Sequence, residues 1–146
     1  MEGGANLVSR MDTEELKRAI STTATEIRRL HSRIHETVCY RDASQQQRDE
    51  WENACAEFHA RYDMLAFPDG YDGAVERIIA GDPKAVEAAI CFLELRPCFF
   101  RSGYMFSKLL RKVKRAPLSP QQADRLRFVI ERQARWRSKR LVRNAT

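Results

Sequence analysis

The segment from Asp82 to Tyr104 (DPKAVEAAICFLELRPCFFRSGY) constrains the fold more than any other part of the chain. Asp82 suits the N-cap of a helix and Pro83 its first turn, while Pro97 predicts that this helix ends at or before Arg96. Because a helix that is apolar on nearly every face must be surrounded by other helices, we expect this one at the centre of the fold. The apolar surface of the helix is interrupted only by Lys84, Glu87 and Glu94.

Two long amphipathic helices are predicted before this central segment. The first begins at a capping-box pattern at Asp12 and extends to Val38, with apolar residues spaced alternately four and three apart. The second begins after Ser44 and repeats that spacing as far as Leu65. Matching apolar seams and a short connection predict an antiparallel αα-hairpin over residues 12–66. Residues 1–11 have no periodicity, and we expect a disordered start there.

Four shorter helices are predicted in residues 74–142, and no stretch alternates apolar and polar residues as a strand would. Gly81 is placed to close the first of these helices, and the central helix is the second. The third is expected from about Gly103 to Arg115, and the fourth from the capping box at Ser119 to about Leu141. At 146 residues the chain is predicted to be a single all-α domain, a long hairpin packed on a compact unit of about four helices.

The C-terminal helices are predicted to form two short antiparallel pairs, and in this respect the unit resembles HEAT-type helical repeats. The resemblance covers residues 74–142 and rests on the pairing and the length of the helices. It implies a scaffold that binds proteins or nucleic acid rather than an active site.

Charge is distributed unevenly along the chain. Residues 1–80 contain ten Lys and Arg against fifteen Asp and Glu, a net charge of −5, whereas residues 81–146 contain sixteen against five, a net charge of +11. From Arg96 onward there are fifteen basic residues and only two acidic ones. Such asymmetry indicates either an anionic partner for the C-terminal part or an electrostatic match between the two halves.

The candidate binding surface lies on the last two helices, where basic residues share a face with two aromatic ones. Guanidinium groups beside aromatic rings suit phosphates and exposed bases. The alternative is that the rings pack against neighbouring helices while the arginine stems cover apolar surface. Both interpretations stay open from the sequence. The candidate residues for binding an anionic partner or a protein are Lys108, Arg111, Lys112, Arg115, Arg125, Phe128, Arg132, Arg135, Trp136, Lys139 and Arg143.

A second polar group surrounds the exit of the central helix: Arg96, Arg101, Ser102 and Tyr104. These residues would either line a recognition groove or cap the helix ends, and we favour capping.

The predicted hairpin brings histidine and cysteine residues to similar levels of its two helices, which would allow a mixed zinc site. We favour the alternative that these residues complete the packing of the apolar seams, because cysteine and histidine often do so and the ligand pairs lack tight spacing. We therefore predict no metal. The residues concerned are His31, His35, Cys39, Cys55 and His59.

The sequence contains no catalytic or phosphate-binding motif that we recognise, so we expect neither an enzyme nor a cofactor. No apolar run is long enough to cross a membrane, and the N-terminus lacks the apolar core of a signal peptide. Four cysteines without CxxC spacing are typical of reduced, mostly buried thiols in a cytoplasmic protein. We predict a non-enzymatic protein-binding module, such as an adaptor, regulatory subunit or inhibitor of a larger partner. The alternative is a nucleic-acid-binding protein that uses the basic C-terminal helices.

Overall fold

All regular structure in the described part of the chain is helical. The computed structural model describes the backbone of residues 2–145 and the side chains of residues 12–144. Over that range the all-α prediction is confirmed, and no strand is present. The helices are α1 (Glu2–Val38), α2 (Gln45–Ala66), α3 (Ala74–Ile79), α4 (Pro83–Leu95), α5 (Ser102–Val113) and α6 (Pro120–Ala145).

Helix α4 occupies the centre of the fold, as its composition predicts. The Asp82 carboxylate accepts a hydrogen bond from the backbone N–H of Ala85 at 3.1 Å, and Arg96 ends the helix in the left-handed conformation. Helices α1, α3, α5 and α6 all pack against α4. Its eight buried residues are Ala85, Val86, Ala88, Ala89, Ile90, Cys91, Phe92 and Leu93.

Helices α1 and α2 form the predicted antiparallel hairpin. The seam of α1 is buried from Leu16 to Leu30, and Phe58 of α2 is 5% exposed against it. Two ion pairs join the helices at the rim of the seam: Arg33 with Glu57 at 2.7 Å, and Arg61 with Glu26 at 2.9 Å. Ion pairs this exposed contribute about 0–1 kcal/mol each, so burial of the seam holds the hairpin together.

The hairpin is fixed to the C-terminal unit through α1 and through the loop that follows α4. Arg28 donates a hydrogen bond to the carbonyl oxygen of Cys98 at 2.6 Å, and the Tyr62 hydroxyl donates one to that of Phe100 at 2.6 Å. Lys17 of α1 reaches Glu94 of α4 at 3.5 Å. These contacts, together with the shared apolar core, place the end of α4 close to the hairpin.

The capping box at Ser119 is confirmed, and Ser44 is the N-cap of α2. The Ser44 hydroxyl accepts from the backbone N–H of Gln47 at 3.1 Å. The Ser119 hydroxyl accepts from the N–H of Gln122 at 3.1 Å, and the Gln122 side chain accepts from the N–H of Ser119 at 3.0 Å. Gly81 has φ 83°, and a Cβ there would lie 2.8 Å from Pro117, so a residue without a side chain is required at this turn.

Several predicted boundaries are wrong. Helix α1 begins at Glu2 rather than Asp12, because a capping pattern does not stop a helix when no proline or other breaker precedes it. The disorder that we expect for residues 1–11 stays a prediction. Helix α5 ends at Val113 instead of Arg115, and α6 continues to Ala145 instead of stopping near Leu141.

None of the helices in the described part of the chain combines the length and the apolar character that crossing a bilayer requires.

Candidate binding cleft

A basic cleft of about 440 Å³ lies between the C-terminal end of α4 and the outer half of α6. Four of its lining residues belong to the predicted surface: Arg132, Arg135, Trp136 and Lys139. The fifth is Arg96, which the sequence analysis assigned to helix capping. No carboxylate is among these lining residues, so the lining of the cleft carries a net positive charge.

The spacing along α6 explains why these side chains converge. Arg132, Trp136 and Lys139 are separated by four and three residues, which places them one above another on a single helix face. The first half of α6 buries Leu126 and Val129 in the core, whereas nearly every side chain after Ile130 is exposed. The outer half of the helix therefore extends beyond the packed body and presents its cations to solvent.

Arg96 joins the two helices that form the cleft. Its guanidinium group lies 4.6 Å from the ring centroid of the buried Phe106 and 5.0 Å from that of Trp136. Arg140 also approaches the Trp136 ring, at 5.4 Å. Two guanidinium groups thus lie at cation–π distance from one exposed indole.

The backbone of Arg96 supports the importance of its side chain. The residue has φ 47° and ψ 61°, the left-handed conformation that usually ends a helix on glycine. An arginine in this conformation costs about 1 kcal/mol relative to glycine. The side chain offsets that cost by stacking on two rings. In the sequence, the sign of this arrangement is that Arg96, rather than glycine, lies between the last residue of α4 and Pro97.

Arg125 does not belong to the open basic surface, contrary to the prediction. It donates hydrogen bonds to Glu94 at 2.6 Å and to Glu87 at 2.8 Å, and it contacts the Cys91 sulfur at 3.7 Å. The helical wheel of α6 placed Arg125 among the other cations, but it did not show that the charged stripe of α4 faces it. Two of the three polar residues that interrupt α4, Glu87 and Glu94, therefore pair with Arg125 inside the protein.

This arrangement shifts the pKa values of its members. Burial alone would raise the pKa of Glu94, but the hydrogen bonds and positive charge of Arg125 and of Lys17 outweigh it, and the pKa is lowered. Burial, reinforced by the charge of Glu87, raises the pKa of the Cys91 thiol to about 11. Cys91 is therefore a neutral, inert thiol at physiological pH.

The predicted residues on α5 lie apart from the α6 cleft. Lys108 and Lys112 line a separate cleft of about 700 Å³ opposite Asp63, Asp72 and Glu76, where both signs of charge are present. Arg111 and Arg115 are exposed on α5 and just beyond its end. On α6, Phe128 is 66% exposed in a neighbouring cleft, and Arg143 lies near the end of the helix. The predicted surface is thus divided between two helices. The cleft on α5 and the cleft at Phe128 both have acidic lining residues, whereas the basic cleft has none.

The predicted polar residues at the exit of α4 make contacts within the loop that joins α4 to α5. The buried Ser102 hydroxyl accepts a hydrogen bond from the backbone N–H of Phe99 at 3.0 Å, which holds the loop together, whereas the N-cap position of α5, Arg101, has no side-chain cap. Arg101 occupies a second left-handed position, φ 67°, and its guanidinium lies over Phe100 at 5.3 Å. Tyr104 is 81% exposed and lines neither wall of the α6 cleft.

The histidines of the hairpin pack against rings. His31 lies 4.7 Å from His35, 5.5 Å from Phe58 and 5.1 Å from Phe100 between ring centroids. Within residues 12–144, no three His, Cys, Asp or Glu side chains form a group that would hold a metal ion. All four cysteines are free, but Cys39 and Cys98 are exposed, so the prediction of mostly buried thiols is wrong.

The function of these clefts has to be inferred from this chain alone. No protein-family model, curated protein or solved structure matches the sequence or its fold. The resemblance to HEAT-type repeats accordingly stays a prediction.

Proposed function

We propose that this chain is a non-enzymatic binding module that holds an acidic part of a partner protein in the cleft on α6. One observation carries the proposal: Arg96, Arg132, Arg135 and Lys139 line one cleft around an exposed tryptophan, without a carboxylate. Arginine forms paired hydrogen bonds with carboxylates, and arginine and tryptophan are enriched at the centres of protein interfaces. An adaptor, regulatory subunit or inhibitor acting in the cytoplasm is the role we assign.

The environment of Trp136 favours a protein partner over single-stranded nucleic acid. Nucleic-acid proteins without sequence preference stack bases on exposed aromatic rings. Here two guanidinium groups already lie within 5.4 Å of the ring centroid. A base would compete with these guanidinium groups for the ring, whereas a carboxylate would bind the guanidinium groups where they stand.

Nucleic-acid binding is the second candidate, and the charge of α6 favours it. The stretch from residue 131 to residue 146 contains six Lys and Arg and one acidic residue. A row of cations on a helix that extends from the protein body is suited to a phosphate backbone.

Fluorescence anisotropy with two labelled probes separates the candidates: an oligo-glutamate peptide and a mixed-sequence oligonucleotide, single- or double-stranded. We expect the peptide to bind the wild-type protein more tightly than the oligonucleotide at near-physiological salt. Arg132→Glu with Arg135→Glu should abolish this binding. The matched control, Arg111→Glu with Arg115→Glu, makes the same charge change at α5 and should leave most of it.

Salt dependence distinguishes the two ligands further. For nucleic acid, affinity falls as salt rises, and the Arg132→Glu plus Arg135→Glu variant should show a shallower fall. The magnitude of the slope of log affinity against log salt should shrink by about one for each phosphate that the variant no longer neutralises. For a protein partner, Trp136→Ala should be the more damaging change, because anchors buried at the centre of an interface contribute more than rim charges. Tighter oligonucleotide binding that depends on Arg132 and Arg135 would favour the second candidate.

A further inference from the structure

A second cleft adjoins the basic one and is different in character. It has a volume of about 460 Å³, and its lining includes the apolar side chains Leu95, Phe128 and Val129. Arg132 lines both clefts, and Leu95 is the chain neighbour of Arg96, so the two clefts meet at the end of α4. Leu95 is 38% exposed and Phe128 is 66% exposed. Large apolar side chains exposed beside a binding cleft are typical of an interaction surface.

The carboxylates of this second cleft are already paired within the protein. Glu94 accepts from Arg125 at 2.6 Å and lies 3.5 Å from Lys17. Asp124 pairs with Arg127 at 2.9 Å. Because these charges are compensated, they do not oppose an acidic ligand that approaches Arg132.

We propose that the two clefts form one docking groove for a segment of another protein that carries acidic residues next to one bulky apolar side chain. The apolar side chain packs on Leu95 and Phe128, and the acidic residues face Arg132, Arg135 and Lys139. This inference rests on the proposed function and adds the partner's chemistry to it. Charge complementarity is the reason to expect acidic residues in the partner segment. The exposed apolar side chains Leu95 and Phe128 are the reason to expect a bulky apolar residue, the anchor, beside them.

The dimensions of the groove suit a short segment. Phe128 and Lys139 are eleven residues apart on α6, which corresponds to about 17 Å along the helix axis. An extended chain rises about 3.3 Å per residue, so roughly five residues span the groove. A nucleic-acid base would stack on Phe128, but the aliphatic side chains Leu95 and Val129 beside it suit an apolar side chain better, and this difference favours a protein segment.

Selection from a displayed library of random peptides tests the inference directly. Peptides of roughly twelve residues exceed the length that the groove requires. They would be selected on the full wild-type chain, with Arg132→Glu plus Arg135→Glu as the counter-selection target. We expect the enriched peptides to combine acidic residues with an aromatic or large aliphatic residue.

Two matched substitutions then test the anchor. Replacing the apolar residue of an enriched peptide by alanine should weaken binding by about tenfold or more, the scale of one buried apolar side chain. Phe128→Ser in the protein should cause a similar loss. Leu141→Ser, at a side chain that is 70% exposed farther along α6, should cause none. Circular dichroism of both variants checks that the helices are intact.

The negative outcomes are distinguishable. Enriched peptides that are acidic but have no apolar preference, and that ignore Phe128→Ser, would overturn the docking groove while leaving the proposed function in place. If no peptide is enriched, or if the enriched peptides bind the Arg132→Glu plus Arg135→Glu variant equally well, both the groove and the proposed function are wrong. An oligonucleotide shift that this variant abolishes would then support the nucleic-acid candidate.

Discussion

The guanidinium group of Arg96 lies 5.0 Å from the ring centroid of Trp136 and thereby joins the end of α4 to the exposed half of α6. The same guanidinium lies over Phe106, a buried residue of α5. A side chain in an unfavourable backbone conformation thus connects the core of the protein with the basic cleft. We therefore expect this contact to contribute both to the stability of the fold and to binding in the cleft. Substitutions at Arg96 can separate these two contributions.

Arg96→Gly should leave the free energy of unfolding within about 1 kcal/mol of the wild type, because relief of the left-handed backbone offsets the absence of the cation–π interactions. Binding of an acidic peptide should nevertheless decrease. Arg101→Gly is the matched control, since it relieves a second left-handed position, φ 67°, outside the cleft. Urea titration and fluorescence anisotropy measure the two effects. Unchanged affinity of Arg96→Gly would show that this guanidinium takes no part in binding.

Ile90→Ala or Leu93→Ala should lower the free energy of unfolding by about 2–5 kcal/mol, as expected for large-to-small changes in a core. Both side chains are at most 2% exposed on α4. Chemical denaturation followed by circular dichroism measures the loss. Leu141→Ala removes an exposed side chain of the same type and should have little effect. Wild-type stability in both core variants would mean that α4 is not central.

Glu94→Gln should destabilise the protein by roughly 1–2 kcal/mol at neutral pH, because it weakens a partly buried hydrogen bond to a charged group. The pKa of Glu94 is lowered in the folded protein, so its contribution is present above the ordinary value of 4.5 and is lost as the pH falls through the folded value. The difference between wild type and variant should therefore shrink in acid. Asp124→Asn, at an exposed ion pair, should change little. A difference that is constant with pH would contradict this account.

The thiols should differ strongly in reactivity. Burial raises the pKa of Cys91 to about 11, whereas Cys39 and Cys98 are exposed. At neutral pH an aromatic disulfide reagent should therefore label Cys39 and Cys98 in the native protein, and Cys91 only after unfolding. Peptide mass spectrometry identifies the labelled sites. Rapid native labelling of Cys91 would show that α4 opens more readily than its burial implies.

Removal of metal should not affect the fold. His31 contacts the rings of His35, Phe58 and Phe100, and this packing needs no ion. We expect a chelator to leave the helicity and the melting temperature unchanged, because no zinc contributes to the folding energy. Elemental analysis of protein purified without chelator provides the independent check, and stoichiometric zinc would overturn the prediction.

The sequence by itself determined the features that depend on neighbouring residues. The caps at Asp82 and Ser44, the capping box at Ser119 and the apolar seam of the hairpin are local patterns, and each appears where predicted. The central position of α4 also follows from composition alone, since a helix without a polar face has to be covered. Four of the five residues that line the α6 cleft were found from their shared helix face.

Only the tertiary structure decided which neighbour each face meets. A helical wheel groups Arg125 with Arg132 and Arg135, but the carboxylates of Glu87 and Glu94 on α4 pair with Arg125, which becomes an internal partner. Arg132 instead reaches the backbone carbonyl oxygen of Glu94 at 3.4 Å. In the same way, Arg96 is far from Trp136 in the chain and reaches it because α4 ends beside α6. Local patterns establish which side chains share a face, whereas the packing of helices distant in sequence establishes which of those side chains remain available to a partner.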